Sequence, residues 1–284
     1  MYKFNTDEYL VKYKARLCVR GDLQGPTHLD TYATTLAARV FRTIMAIMAA
    51  FDLEARQLDV VNAFTNSTLD ETVYCAHPEG YRMEGLSLQL LRALFGLRRS
   101  PILWLKEFSK SLREMGLQEV PGEPCLSVNA WLIVFFYMDN IVALCRKKHL
   151  HYLDEFEKNL RAEYEIRALG ELNWFLGVRI VRDRKARKVW LCQDSYIDKI
   201  VAKFYLEHHK LVSTPLPLNN LPSHEGVATA QQVYAYQQRV SSINFAAVIM
   251  RPDVAFAASR LATFLCNPSP AHLAAADQTI TYLH

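Results

Sequence analysis

The amino-acid sequence predicts an α+β fold, on three observations. Strand-length apolar stretches and helical patterns follow one another as strand, helix, strands, helix, hairpin, helix, hairpin, which is not the regular alternation of βαβ units. The last part of the chain switches to helical periodicity alone. The 284 residues, 51% hydrophobic and 22% charged, are enough to bury one or two cores.

The first 24 residues alternate as a hairpin, with "NTDE" as its turn and "YKARLCVRG" as a strand stopped by Gly21. The alanine-rich stretch from Asp30 to about Phe51 has apolar residues at helical spacing behind an Asp or Thr cap, and predicts a helix. "EARQLDVVNAF" and "TVYCAHPEGY" read as short strands. "SPILWLKEFSKSLREMG" reads as an amphipathic helix, with Pro101 in its first turn and Gly116 closing it. "AWLIVFFYMDNIVALCR" is two apolar runs broken at Met138, Asp139 and Asn140, the pattern of a buried hairpin with a tight polar turn. A helix over 148–165, the hairpin "WFLGVRIVRDRKARKVWLCQ" and the helix "SYIDKIVAKF" follow. Residues 207–230 are rich in Pro, Ser, His and Asn without a period, which predicts a linker or long loop. Helices are expected over 231–249, 252–266 and 270–283. The domain expectation is therefore 1–206, a 207–230 linker, and a helical 231–284.

Composition excludes several function classes. No run approaches 18 apolar residues, and the charged N-terminus lacks an apolar signal core, so neither a membrane span nor secretion is expected. Six scattered cysteines without CxxC spacing fit reduced, buried thiols in an intracellular, cytoplasmic setting. No HExxH, Cys/His zinc spacing, GxGxxG, Walker A or GxSxG motif is present. The net charge of +4 is modest, but it gathers at Arg98–Arg99, at Arg146 to Lys148 and in "RIVRDRKARK". Such loops are more often plain surface than nucleic-acid contacts taken singly; three in one chain narrow those odds.

Asp59 closes a short strand and Asp139 sits in the turn of the apolar hairpin. If those strands are neighbours, two carboxylates meet at one rim, and oxygen donors of this kind suit magnesium or manganese beside substrate phosphates. A pair of ions about 3.5 to 4 Å apart activates a hydroxyl and neutralises a leaving group. A lone Asp at a strand end is more often a turn or helix cap.

The blocks "YKARLCVRGDLQ", "QLDVVNAFTNSTLDETVYCAHPEGY", "LRALFGLRRSPILW", "FFYMDN", "LGELNWFLGVRI", "STPL" and "MRPDVAFAASRLATF", in this order over nearly the whole chain, resemble the reverse transcriptase of copia-type long-terminal-repeat retrotransposons. The resemblance implies a right-hand polymerase palm with partial fingers and a helical thumb or connection region. It implies RNA-directed DNA synthesis on an RNA or DNA template with a primer, from deoxynucleoside triphosphates, with Asp59 and Asp139 holding the metal ions and Asn140 beside them. Lys14 and Arg16 match the fingers cations that hold the triphosphate. Phe64 matches the aromatic under the sugar that clashes with a 2′-hydroxyl, although the residue alone reads equally well as core packing. Gly96 and Arg98 match the loop against the nucleotide. Arg99, Gly177, Arg179, Lys185 and Lys188 match the side of the site that meets the nucleic acid, with Gly177 in the primer grip.

Two departures bear on activity. The family's second acid in the YVDD box is Asn140 here, which keeps the shape and drops the charge. Relative to the family pattern, the chain also starts inside the fingers and stops at "YLH", ahead of RNase H, so it reads as a truncated piece. The alternative expectation is thus a non-catalytic nucleic-acid-binding remnant or a pseudogene product.

Overall fold

The computed structural model describes residues 2–4, 10–13, 17–25, 27–217, 219 and 221–284, the first two stretches as backbone alone. Two units emerge: Met1–Phe41 with Phe51–Glu171, and Arg42–Ala50 with Leu172–His284.

In the first unit, β1 (Tyr2–Phe4) and β2 (Leu10–Tyr13) form an antiparallel pair, as the alternation predicts. Leu17–Arg20 forms no strand, so the expected extension of β2 to Gly21 is not seen among the described residues. The helix α1 (Ala38–Ala50) begins eight residues later than the sequence suggests. Local polar bonds explain the late start: the Asp30 carboxylate accepts the Tyr32 N–H at 2.9 Å, and the Thr34 carbonyl accepts from Cys125 Sγ at 3.3 Å. Asp and Thr side chains and captured carbonyls favour turns over helix interior.

The strands β3 (Glu54–Val60), β4 (Thr68–Cys75) and β5 (Leu88–Arg92) precede the helix α2 (Ser100–Glu114). After it come β6 (Gln118–Val120), β7 (Glu123–Val128), β8 (Leu132–Tyr137), β9 (Asn140–Cys145), the helix α3 (Leu150–Glu163) and β10 (Ile166–Gly170). Six of these strands make one antiparallel sheet in the order β10-β3-β9-β8-β7-β6, and β4 and β5 pair separately. The apolar runs of β8 and β9 are explained by this order: both lie inside the sheet and are buried over most of their length. Trp104, Phe108 and Leu112, spaced by four, form the buried stripe of α2, and the Phe108 ring meets Phe136 of β8 edge-on at 4.8 Å. Each such side chain contributes about 1.5–3 kcal/mol on burial.

In the second unit β11 (Trp174–Phe175), β12 (Val178–Asp183) and β13 (Lys188–Cys192) pair only with one another. The helices α4 (Asp194–Lys203), α5 (Ala230–Ile249), α6 (Ala255–Ala262) and α7 (Pro270–Leu283) share a core that includes Tyr236, Ile243, Leu261 and Ile280. The boundary at Leu172 differs from the expected one after residue 206 because α4 contributes Ile197, Ile200 and Val201 to this helical core. Residues 207–230 are irregular where described, yet they are tied down. Leu221 is buried in the core, Thr279 donates to the Pro215 carbonyl at 2.7 Å, and Asn267 donates to the Gly226 carbonyl at 2.8 Å. The stretch is a strap on the helical unit, not a loose linker. A capping box at Thr229 and Gln232 starts α5 where the strap ends.

Only Cys125 and Cys145 of the six cysteines are buried, short of the sequence expectation, and Cys18 and Cys266 are exposed.

One contact fixes the start of the described N-terminal segment. Gly96, at φ +95°, lies so close to the Val19 backbone that a Cβ there would stand 1.9 Å from the Val19 oxygen. The Val19 N–H donates to the Phe95 carbonyl at 2.8 Å across the same contact. Gly96→Ala is expected to destabilise the first unit by about 2–4 kcal/mol, from left-handed strain and overpacking together, read by urea denaturation. An unchanged midpoint would show that the segment detaches without cost.

Candidate functional site

The pairing of β3 with β9 sets Asp59 directly across from Asn140. On the other side of β9, Tyr137 of β8 pairs with Asn140, so Met138 and Asp139 form a two-residue turn. Met138 takes φ +55°, which such a turn requires at its first position. The Val60 N–H donates to the Asp139 carbonyl at 2.9 Å, tying the turn to the end of β3. Asp59, Asp139 and Asn140 therefore gather at one rim, all half-buried.

Two neighbours hold this rim. The Trp104 indole, 1% exposed, donates from Nε1 to the Met138 carbonyl at 2.8 Å. Its ring stacks on Phe108 and meets Tyr164 edge-on, so the donor has little freedom. Buried Gln57 donates from Nε2 to Asn140 Oδ1 at 3.4 Å. Beyond β3 the chain turns at Asn62, at φ +53°, into a single 3-10 turn, Ala63–Asn66, which carries Phe64. The Phe64 ring is buried and packs on Phe95 at 4.7 Å between centroids. Its core-packing role is thereby visible.

The family profile described as "Reverse transcriptase (RNA-dependent DNA polymerase)" matches residues 1–217 of this chain. The chain belongs to that family. Among relatives it is 31% identical, over 99% of its length, to the "Retrovirus-related Pol polyprotein from transposon TNT 1-94" of Nicotiana tabacum, and covers 22% of that polyprotein. It is 28% identical, over 80% of its length, to the "Putative transposon Ty5-1 protein YCL074W" of Saccharomyces cerevisiae, of which it covers 75%. A solved structure of the foamy viral protease-reverse transcriptase dRH in complex with ds DNA aligns with a TM-score of 0.44 and 15% identity, over 96% of this chain and 39% of that one. The chain spans about a fifth of the plant transposon polyproteins it matches. It is a reverse transcriptase domain of the copia-type Pol polyproteins, with an α+β fold.

The donor set at this rim fits a hard divalent ion in kind: two carboxylates and one amide oxygen, with no sulfur or imidazole required. Its charge is reduced, and among the described residues no group of three or more His, Cys, Asp or Glu side chains converges anywhere.

The remaining expected site residues are distributed differently. Lys14 and Arg16 lie outside the described residues. The close backbone approach at Gly96 is made by Val19 and Gly21, and Gly96 itself is exposed. Arg98 is exposed and donates from Nε to the Gly21 carbonyl at 2.8 Å. Arg99 corrects the expectation of a nucleic-acid contact, because it is 3% exposed and spends its donors inside the fold. Its Nε donates to Asp70 Oδ1 at 3.0 Å, a second bond joins the other oxygen, and Nη1 donates to the Asp30 carbonyl. In the second unit Gly177 and Leu176, both at positive φ, form the two-residue turn between β11 and β12. Arg179 is paired with Asp194 through Nε at 2.9 Å and a second bond, whereas Lys185 and Lys188 are exposed.

The sequence reading missed Trp104, Gln57 and Asp70. Trp104 was legible only as one apolar position of an amphipathic helix, and Asp70 as a polar residue in an alternating strand.

Hydrogen bonding from Arg99 holds the Asp70 carboxyl below its usual value. A depressed folded pKa contributes stability that is full above the unfolded value, about 3.9, and is lost as pH falls through the folded one. Asp70→Asn is expected to cost about 1–3 kcal/mol at neutral pH, towards the low end because the carboxylate is partly open to water. It should also flatten the acid limb of stability against pH, measured by urea titrations between pH 3 and 7. Trp104→Phe keeps an aromatic ring but deletes the donor to the turn and part of the buried indole volume, and should cost about 2–4 kcal/mol in the same assay.

Proposed function

We propose that the rim of Asp59 and Asp139 is the nucleotidyl-transfer site of an RNA-directed DNA polymerase domain, and that Asn140 leaves it weakly active. The observation that carries the reading is the register: Asp59 faces Asn140 across β3 and β9, and Asp139 stands in the adjoining turn. Magnesium or manganese held by Asp59 and Asp139 would supply charge neutralisation at a triphosphate and a lowered pKa at the primer 3′-hydroxyl.

The chain's own residues do the rest. The Trp104 bond to the Met138 carbonyl fixes the turn that aims Asp139. Phe64, set just past Asp59 and packed on Phe95, would take the part of the flat ring that excludes a 2′-hydroxyl and favours deoxynucleotides, as the family pattern implies. Exposed Lys185 and Lys188, beside the β12–β13 turn, suit the phosphates of a primer·template, which is bound by charge and A-form shape.

Asn140 favours a second reading, binding without synthesis, because an amide offers one neutral oxygen where the family places a carboxylate. An aspartate at 140 would accept the same Gln57 bond, so Asn140→Asp adds charge without requiring the rim to move.

The test is primer extension on an RNA template with magnesium or manganese. Asp59→Asn is expected to lower extension at least about a hundredfold, and Asn140→Asp to raise it about tenfold at limiting metal, equivalent to about 1.4 kcal/mol. Salt-dependent primer·template binding with no extension by either the natural chain or Asn140→Asp would establish the second reading instead.

A further inference from the structure

The far end of the β8–β9 hairpin carries a second constellation that the polymerase reading does not use. Leu132 pairs with Cys145 there. The residues flanking that pair lie about 20 Å along the strands from Asp139, at roughly 3.3 Å per residue. Trp131 leads into β8, and its backbone is fixed by Asn129 Oδ1, which accepts the N–H of Trp131 at 2.9 Å and of Leu132 at 2.8 Å. The indole stacks on Tyr152 with 3° between planes and 5.1 Å between centroids, and His149 packs against it at 4.6 Å. Despite these contacts Trp131 stays 42% exposed.

Three cations stand in the chain directly before His149. Arg146, Lys147 and Lys148 are all exposed, and the Arg146 guanidinium lies 5.8 Å from the centroid of Phe51, itself an exposed ring. His151 packs on Tyr152 at 4.1 Å. The first turn of α3 contains no acid; of its later carboxylates Asp154 and Glu157 are engaged by Arg56 at 2.8 and 2.7 Å, and Glu155 is exposed. Among the described residues no ion pair neutralises Arg146, Lys147 or Lys148. A stack that served only to pin α3 to the β7–β8 turn would gain nothing from this charge. Three cations ahead of a helix N-terminus also oppose its dipole.

We propose that this face is a binding site for single-stranded nucleic acid, separate from the acid rim. An unpaired base stacks on the open side of Trp131, and the phosphates on either side meet Lys147, Lys148 and Arg146. Alternating flat rings and phosphates match a rigid aromatic plane with cations next to His149 in the chain. An acidic peptide would use the cations and leave the indole without a partner. The site does not depend on whether Asp59 and Asp139 hold metal.

Fluorescence anisotropy of a labelled oligothymidylate, titrated with the whole chain, tests the assignment beside a blunt RNA·DNA duplex. Trp131→Ala is expected to weaken oligothymidylate binding about tenfold, the usual worth of one stacked base, and to change duplex binding less than twofold. Trp131→Phe should restore most of the loss. Lys147→Gln with Lys148→Gln, both at exposed positions, should reduce the slope of log affinity against log salt by about 1.4. The proposal is overturned if these variants bind oligothymidylate as the natural chain does, or if duplex binding falls equally. Displacement of the oligonucleotide by polyglutamate at equal charge concentration, with no sensitivity to Trp131, would equally overturn it and indicate an acidic-peptide surface.

Discussion

The hydrogen-bonded register between β3 and β9 is the constraint on which the site depends. Side chains alternate faces along a strand, so a slip of one residue would turn Asp59 away from Asn140 and expose Leu58, now fully buried. The apolar residues of β9, closed over by β3 and β8, make that slip costly. Burial of Ile141 to Leu144 thus enforces the placement of a polar residue at their edge. The same logic extends outward: the β8–β9 turn is short because the strands are in register, and the Trp104 donor reaches its carbonyl because α2 packs its buried stripe against this sheet.

Arginine serves two purposes in this chain that residue type alone does not separate. Arg99 is consumed inside the fold by Asp70 and the Asp30 carbonyl, and Arg56 by two acids of α3. A planar guanidinium with five donors suits such multiple bonding. Arg146, Lys147 and Lys148 lack acid partners among the described residues and remain at the surface. A count of basic residues treats both groups alike, while the hydrogen-bond partners show which of them the fold consumes.

This difference accounts for what the sequence disclosed. The β8–β9 hairpin was legible because two apolar runs interrupted by "MDN" leave few other arrangements, and the rim followed from it. α2 and the helices of the second unit were legible from period and caps. The start of α1 was not, since it depends on Asp30 and Thr34 being held by residues far along the chain. Nor was the Arg99–Asp70 pair, because an ion pair between a loop and a strand leaves no periodic trace. The partner of Gly96 was hidden too: the residue announced a close approach without saying what approached.

The division of α1 between the two units has a consequence for how the protein forms. Arg42–Ala50 belongs with residues that begin at Leu172. Within that second unit the Arg42 guanidinium donates to the Val248 and Ile249 carbonyls, and Arg182 donates to the Met48 carbonyl. During synthesis this stretch emerges first and waits while every strand from β3 to β10 is made. The first unit therefore closes a long loop out of the second, giving the second a high contact order that its local helices alone would not suggest. No single cut between residues can separate the two units. Until α5 leaves the ribosome, Arg42 lacks the Val248 and Ile249 carbonyls that it binds in the finished unit.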